Sequence, residues 1–318
     1  SYERDVLLVF EAFADYHGGK PLLERVERRV IKDPATRLNA YKNGELDMVM
    51  LERQDIKGLS DSEYKDQLKY WQRPAIWYVG INQEMLPQFK DKRVRQAIAM
   101  AIDKQRIVEE VLGGHNTIAN GVIPPGVPGY REDAPALKFD PEQARLLLAE
   151  AGYPNGKGFP VLTMNFREQR ADIQRASESV AADLKKYLNI EVKLQTMEWR
   201  AYLEKYNNHQ LVFFHMRWAA DYIDPQNFVS HMLASYGPEN KIGYKNPEYD
   251  ALCAKADSIL DMQQRIPLYQ KAEDIVLSDA VWVPLYFQRD AELHRPWVSG
   301  LRESLFGHLP HTTTGVGQ

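Results

Sequence analysis

Two carboxylates three residues apart, Asp221 and Asp224, lie in the stretch RWAADYIDPQNF from Arg217 to Phe228. The preceding QLVFFHM, Gln210 to Met216, reads as a buried strand. A carboxylate at the mouth of such a strand is costly unless something pairs with it. The two could form a general acid/base pair of the kind glycosidases use, or one of them could capture a cation. Asp224 precedes Pro225, and the chain opens helices with Asp-Pro elsewhere, at Asp33-Pro34 and Asp140-Pro141. It therefore reads as a cap. Asp221 has no such reason to be there. It follows two Ala residues that leave room around it, and Trp218 and Tyr222 flank it. A carboxylate walled by aromatic rings suits an ammonium group, through charge pairing and cation–π attraction. The alternative is an internal ion pair with Arg217. The candidate ligand-binding set is Asp221, Trp218, Tyr222 and Arg217.

Other chemistry is thinly represented. GxSxG, HExxH, the Walker A loop and GxGxxG are all missing. The eight histidines are scattered. His308 and His311 are spaced i, i+3, but they fall in the C-terminal tail, whose last stretch LPHTTTGVGQ is expected to be poorly ordered, and the spacing reads as incidental. His215, on the apolar strand, reads as a buried, hydrogen-bonded side chain. The single cysteine, Cys253, permits no internal disulfide and no CxxC motif, and reads as a small core residue of a helix. No catalytic residue, cofactor or metal is expected. A net charge of -4 carries no nucleic-acid footprint. No apolar run approaches the ~18 residues of a membrane span.

The elements that must position Asp221 follow from periodicity and punctuation. Strands are expected at Val6–Phe10, Val26–Ile31 and Leu46–Leu51, with a helix between the last two that is capped by Asp33 and stopped at Gly44. That strand–helix–strand order suggests an α/β lobe. Residues 70–82 form a long extended segment containing Pro74. The run KDKRVRQAIAMAIDKQRIVEEVLGG reads as one amphipathic helix from Asp91 to Gly113. Further helices are expected after Asp140-Pro141, at Ile173–Leu188, at Glu198–Asn207, after Asn246-Pro247 and over roughly Pro267–Leu277, beginning or kinking at Pro267. Strands are expected at Val161–Phe166, Ile190–Thr196 and Val281–Phe287. The chain is 318 residues long, enough for two or three domains. It enters a strand within its first residues, SYERDVLLVFEAF, without leader or cap, and so reads as beginning inside a fold.

Several of these segments carry a family resemblance. KDKRVRQAIAMAIDKQRIVEEVLGG resembles a signature of the extracellular solute-binding proteins of the peptide-transport family, which serve ABC importers. IPPGVPGY, FDPEQARLLLAEAGYPNGKGFP, WAADYIDPQNF, GYKNPEYDAL and VWVPLYF follow in that family's order. Upstream, DYHGGKPLLERVERRVIKDPATRLNAYKNGELDMVM resembles another of its segments, with His17 in place of the usual Trp.

The resemblance implies a bilobal α/β periplasmic-binding-protein (Venus-flytrap) fold that encloses its ligand between lobes. The second lobe, 77–284, would be complete. The first would be partial, formed by 1–76 and the return segment 285–318. In peptide-binding members an Asp of the matching motif takes the ligand's α-ammonium, a role the match assigns to Asp221, with Trp218 and Tyr222 beside it. The implied function is a non-enzymatic, periplasmic, monomeric receptor. It would take short peptides to membrane permease subunits, and this portion alone would bind weakly. The alternatives are the same fold binding a sugar, a nickel complex or haem, and a ligand-sensing domain of a regulator.

Overall fold

The computed structural model describes residues 1–168 and 170–317. The chain opens with β1 (Tyr2–Glu3), β2 (Leu7–Glu11) and β3 (Arg25–Arg29), followed by α1 (Pro34–Lys42), β4 (Met48–Met50) and α2 (Arg53–Ser60). The long β5 (Leu68–Ile81) leads to α3 (Lys92–Ala101), the short α4 (Lys104–Arg106) and β6 (Thr117–Ile118). Next come α5 (Pro141–Glu150), β7 (Leu162–Arg167), α6 (Ala171–Leu188), β8 (Val192–Met197), α7 (Trp199–Asn207) and β9 (Phe213–Ala219). The remainder is α8 (Ser230–Leu233), α9 (Pro247–Asp257), α10 (Met262–Asp279), the long β10 (Trp282–His294), β11 (Val298–Ser299) and β12 (Gly315–Val316). These elements form two compact units. One is continuous, Pro74–Gln288; the other is assembled from Ser1–Arg73 and Arg289–Gln318.

The continuous unit is a sheet covered on both faces. β5 and β10 are neighbours, β9 pairs antiparallel with β5, and β7 pairs in parallel with both β9 and β8. Alternation along β5 divides the core. Ile76 and Tyr78 join the cluster built with α7, α9 and α10, which contains Tyr202, Tyr249, Tyr269 and the buried Cys253. Trp77, Val79 and Ile81 join the opposite cluster with α3, α5 and α6, which contains Ile98, Leu148 and Leu184. Val, Ile and aromatic residues dominate β5 and β9 because both their faces are buried. The strands approach closely at Gly80, where an added Cβ would lie 2.2 Å from the Phe214 ring.

In the two-segment unit, β1, β2 and β3 make an antiparallel sheet, and β4 pairs antiparallel with Glu292–His294 at the end of β10. Tyr41, Val49, Ile56 and Leu293 fill its core. The strand–helix–strand segment therefore does not close into one sheet: β3 and β4 belong to different ones.

Asp-Pro and Asn-Pro open helices as expected. Asp33 accepts from the Thr36 amide at 2.7 Å, Asp140 from Gln143 at 3.0 Å and Asn246 from Glu248 at 3.0 Å. Elsewhere the structure departs from the sequence reading. The single helix expected from Asp91 to Gly113 breaks at the extended Ile102, where Asp103 starts a new turn by accepting from the Arg106 amide at 2.9 Å. Pro267 does not begin its helix. α10 starts five residues earlier, capped by Asp261, and carries the proline inside it. The tail is not loose: β12 pairs with β11, and His308 is buried.

Candidate ligand-binding site

The strand before Asp221 sits later than the apolar run suggests. β9 spans Phe213–Ala219, so Arg217 and Trp218 are strand residues, opposite Trp77 and Ile76 of β5. Apolarity marks what is buried rather than where the ladder ends, so it misplaced the boundary. Adjacent strand residues point to opposite faces, and this divides the expected set. Arg217 donates to the Gln288 side chain at 3.0 Å, and Trp77 donates to the same oxygen at 3.2 Å. Trp218 packs on the other face, against the α7/α9/α10 cluster and near His231. Arg217 therefore stands apart from Trp218, Asp221 and Tyr222.

Two residues the sequence reading did not single out hold them: Asn227 ties Trp218 to Asp221, and Gln226 bonds Tyr222. Asn227 is fully buried, and its Oδ1 accepts from the Trp218 indole at 3.0 Å and from the Asp221 backbone amide at 3.1 Å. One amide oxygen thus ties the strand end to the turn that presents Asp221. Tyr222 is 41% exposed, and its hydroxyl donates to Gln226. The signal for Asn227 was present in DPQNF, as a short amide-bearing side chain just past an Asp-Pro turn.

The two carboxylates separate as their neighbours suggested. Asp224 caps the turn after it, accepting from the Gln226 amide at 2.9 Å. It also forms a bidentate pair with Arg265 at 3.0 and 3.1 Å. Arg265 continues to the Tyr269 hydroxyl at 2.8 Å, and Tyr269 donates to Asp257 at 2.6 Å. Burial first, then the bond to Asp257, pushes the Tyr269 phenol well above its ordinary value, so it stays a donor. Asp257 also accepts from Ser230 at 2.8 Å. This chain of partners anchors the loop to α9 and α10.

Asp221, by contrast, is exposed, and among the described residues its carboxylate has no hydrogen-bond or ion-pair partner. The internal pair with Arg217 is not formed. His215 is buried as expected, with Nδ1 3.1 Å from the Ser177 hydroxyl. An apolar hollow of about 470 Å³ lies in the two-segment unit, lined by Phe10, Phe13, Tyr16, Leu23, Val26 and Leu309, and it includes none of the four candidates.

A doubly covered α/β sheet, a second α/β unit closed by a returning strand, and an anchored loop displaying one unpartnered charge are the features a solute-binding protein would need. The family follows from comparison. The chain belongs to the bacterial extracellular solute-binding proteins, family 5, whose model matches residues 1–240. It is 30% identical to haem-binding protein A of Haemophilus influenzae, over 96% of this chain and 56% of that protein. It is 32% identical to the periplasmic oligopeptide-binding protein OppA of Escherichia coli, over 90% of this chain and 53% of that one. Among solved structures, a periplasmic binding protein DppA of Helicobacter pylori in complex with the peptide STSA superposes with a TM-score of 0.81 at 25% identity, covering all of this chain and 62% of that one. The chain thus spans about half the length of the curated relatives it matches. The α/β solute-binding-protein fold expected from the sequence stands.

Proposed function

We propose that this chain carries the ligand-recognition loop of a receptor for short peptides, with Asp221 taking the ligand's α-ammonium. The contrast between the two carboxylates carries this reading. Asp224 is fully engaged by Arg265 and a backbone amide, whereas Asp221 is held in position through its own backbone with its charge unused. A fixed, uncompensated anion suits recognition of a group every peptide shares. Trp218 and Tyr222 then shape the space beside the ammonium, and Arg217 acts on the opposite face of β9. Support also comes from the family and from relatives named for oligopeptide binding.

The receptor works outside the cytoplasm, in keeping with a family described as extracellular, and delivers its ligand to the permease of an ABC importer as a monomer. No helix among the described residues is long and apolar enough to cross a membrane. Its role is binding and release, without catalysis. Binding shifts a population of conformations towards a ligand-bound one that the permease reads.

A haem ligand is the second reading, because the Haemophilus relative is named for haem. Calorimetry on the full-length protein separates the two. Di-, tri- and tetrapeptides with free amino termini should bind, N-acetylated versions should bind weakly, and haemin and oligosaccharides should not compete. Saturable haemin binding with no response to peptides would replace the peptide reading.

A further inference from the structure

The two-segment unit holds a cluster outside the recognition loop. Glu292 and His294 lie on β10, and His308 reaches them from the tail. All three are buried, at 5%, 6% and 9% exposure. Their potential ligand atoms lie within 4.8 Å of one another. Glu292 Oε2 is 2.8 Å from His294 Nε2 and 2.8 Å from His308 Nε2. The Trp71 ring stacks on His294 at 5.8 Å and meets His308 edge-on at 4.4 Å, closing the cluster on one side.

The partner of the other His308 nitrogen is informative. His308 Nδ1 lies 3.0 Å from the Arg302 carbonyl oxygen, which can only accept, so Nδ1 bears the hydrogen. In a neutral imidazole this leaves a lone pair on Nε2, aimed at a carboxylate oxygen that has only lone pairs to offer. A proton, on the ring or on the carboxyl, or a cation must lie between them. An imidazole with Nδ1–H on a backbone carbonyl and a bare Nε2 is the arrangement that orients a metal-binding histidine. The other Glu292 oxygen is directed elsewhere, 3.5 Å from Arg73, whose guanidinium also donates to Asp290 at 2.6 Å. One carboxylate oxygen and two imidazole nitrogens are therefore free to converge.

We propose that Glu292, His294 and His308 form a binding site for a divalent transition-metal ion of the Zn²⁺ type. Two imidazoles and one carboxylate are the donors such ions favour over Ca²⁺ or Mg²⁺. With bonds of about 2.0–2.1 Å, tetrahedral ligands sit roughly 3.3 Å apart, so each 2.8 Å contact needs to open by only about 0.5 Å. Three protein ligands leave a fourth position for water. The ion ties the tail to β10 within the Arg289–Gln318 segment, and is independent of the peptide reading because every ligand belongs to the two-segment unit.

The test uses the full-length protein stripped of metal by chelation. Zn²⁺ titration by calorimetry should give one equivalent, and Co²⁺ should give the intense visible bands of a four- or five-coordinate site. Zn²⁺ should also raise the thermal midpoint of the wild type. His294→Gln and His308→Gln should each weaken binding by about 100-fold or more, while His311→Gln, outside the cluster, should not change it. No saturable Zn²⁺ uptake by the wild type would overturn the proposal and leave the cluster as hydrogen-bonded, proton-sharing side chains. So would uptake that survives both Gln variants, or uptake that H311Q abolishes. The wild-type titration decides even where a variant folds poorly.

Discussion

Asp221→Asn removes a charge and little else. The Asp221 backbone amide, not its side chain, binds Asn227, so the variant keeps the loop anchored and retains a neutral acceptor at the same place. An ammonium about 3 Å from a carboxylate is worth about 1.4 kcal/mol at the dielectric of water and about 5.5 kcal/mol at an effective value of 20. Asp221 is exposed, and a peptide bound as proposed would cover it, so the loss should fall between these limits, at about 2–4 kcal/mol. That corresponds to an affinity about 30- to 1,000-fold weaker. Calorimetry on the full-length protein with a tripeptide and its N-acetylated form makes a double-variant cycle. Acetylation should cost the wild type nearly as much as the substitution does, and should cost D221N little more. Equal binding by D221N and wild type would refute the reasoning, as would penalties that simply add, because both results would mean that carboxylate and ammonium do not meet.

Three further predictions follow from the same residues. Asp224→Ala leaves Arg265 partly buried without its bidentate partner and should cost about 1–3 kcal/mol, lowering the thermal midpoint by several degrees and peptide affinity with it; an unchanged midpoint in scanning calorimetry would show that the pair does not anchor the loop. Burial lowers the Lys104 ammonium from 10.5 to about 8, so between about pH 8 and 10.5 the unfolded chain holds a proton that the folded chain has released. Its contribution to stability should therefore rise with pH across that window, by up to about 1.4 kcal/mol per pH unit, and denaturant melts of Lys104→Met should lack the slope. Gly80→Ala pushes a methyl group into the Phe214 ring and should cost about 1–3 kcal/mol, part of which Phe214→Leu restores; full stability of G80A alone would mean the strands separate there freely.

Most of the architecture could be read from local chemistry, because the chain marks its helix starts with Asp-Pro or Asn-Pro and its buried strands with continuous apolar runs. Where tertiary contacts overrule those signals, the reading slipped. The apolar run of β9 ends at Met216, yet the ladder with β5 continues through Ala219. α10 begins at the Asp261 cap and runs on through Pro267, so the cap and not the proline sets its start. The contrast between Asp221 and Asp224 was visible in sequence, since one precedes a proline and the other does not. The partners Asn227 and Arg265 were not, because Arg265 is 41 residues from Asp224 and no periodicity links them. His308 was expected in a loose tail, but it is buried, and its neighbours in space lie on β10, beyond the reach of sequence spacing.

The division of the chain sets an order of events during synthesis. Residues 74–288 are continuous and can gather their core as they emerge. The β4 region cannot, because β4 pairs with Glu292–His294 and Leu293 fills its core. A ribosome must add more than two hundred residues before that partner exists. Meanwhile Val49 and Tyr41 lack Leu293 as a packing partner, and exposed apolar surface of this kind favours aggregation. The loop closed by β4 and β10 is long, but closure entropy grows only slowly with length, so the cost is mainly one of time. The pairing of β4 should therefore be completed only after Glu292–His294 have been made.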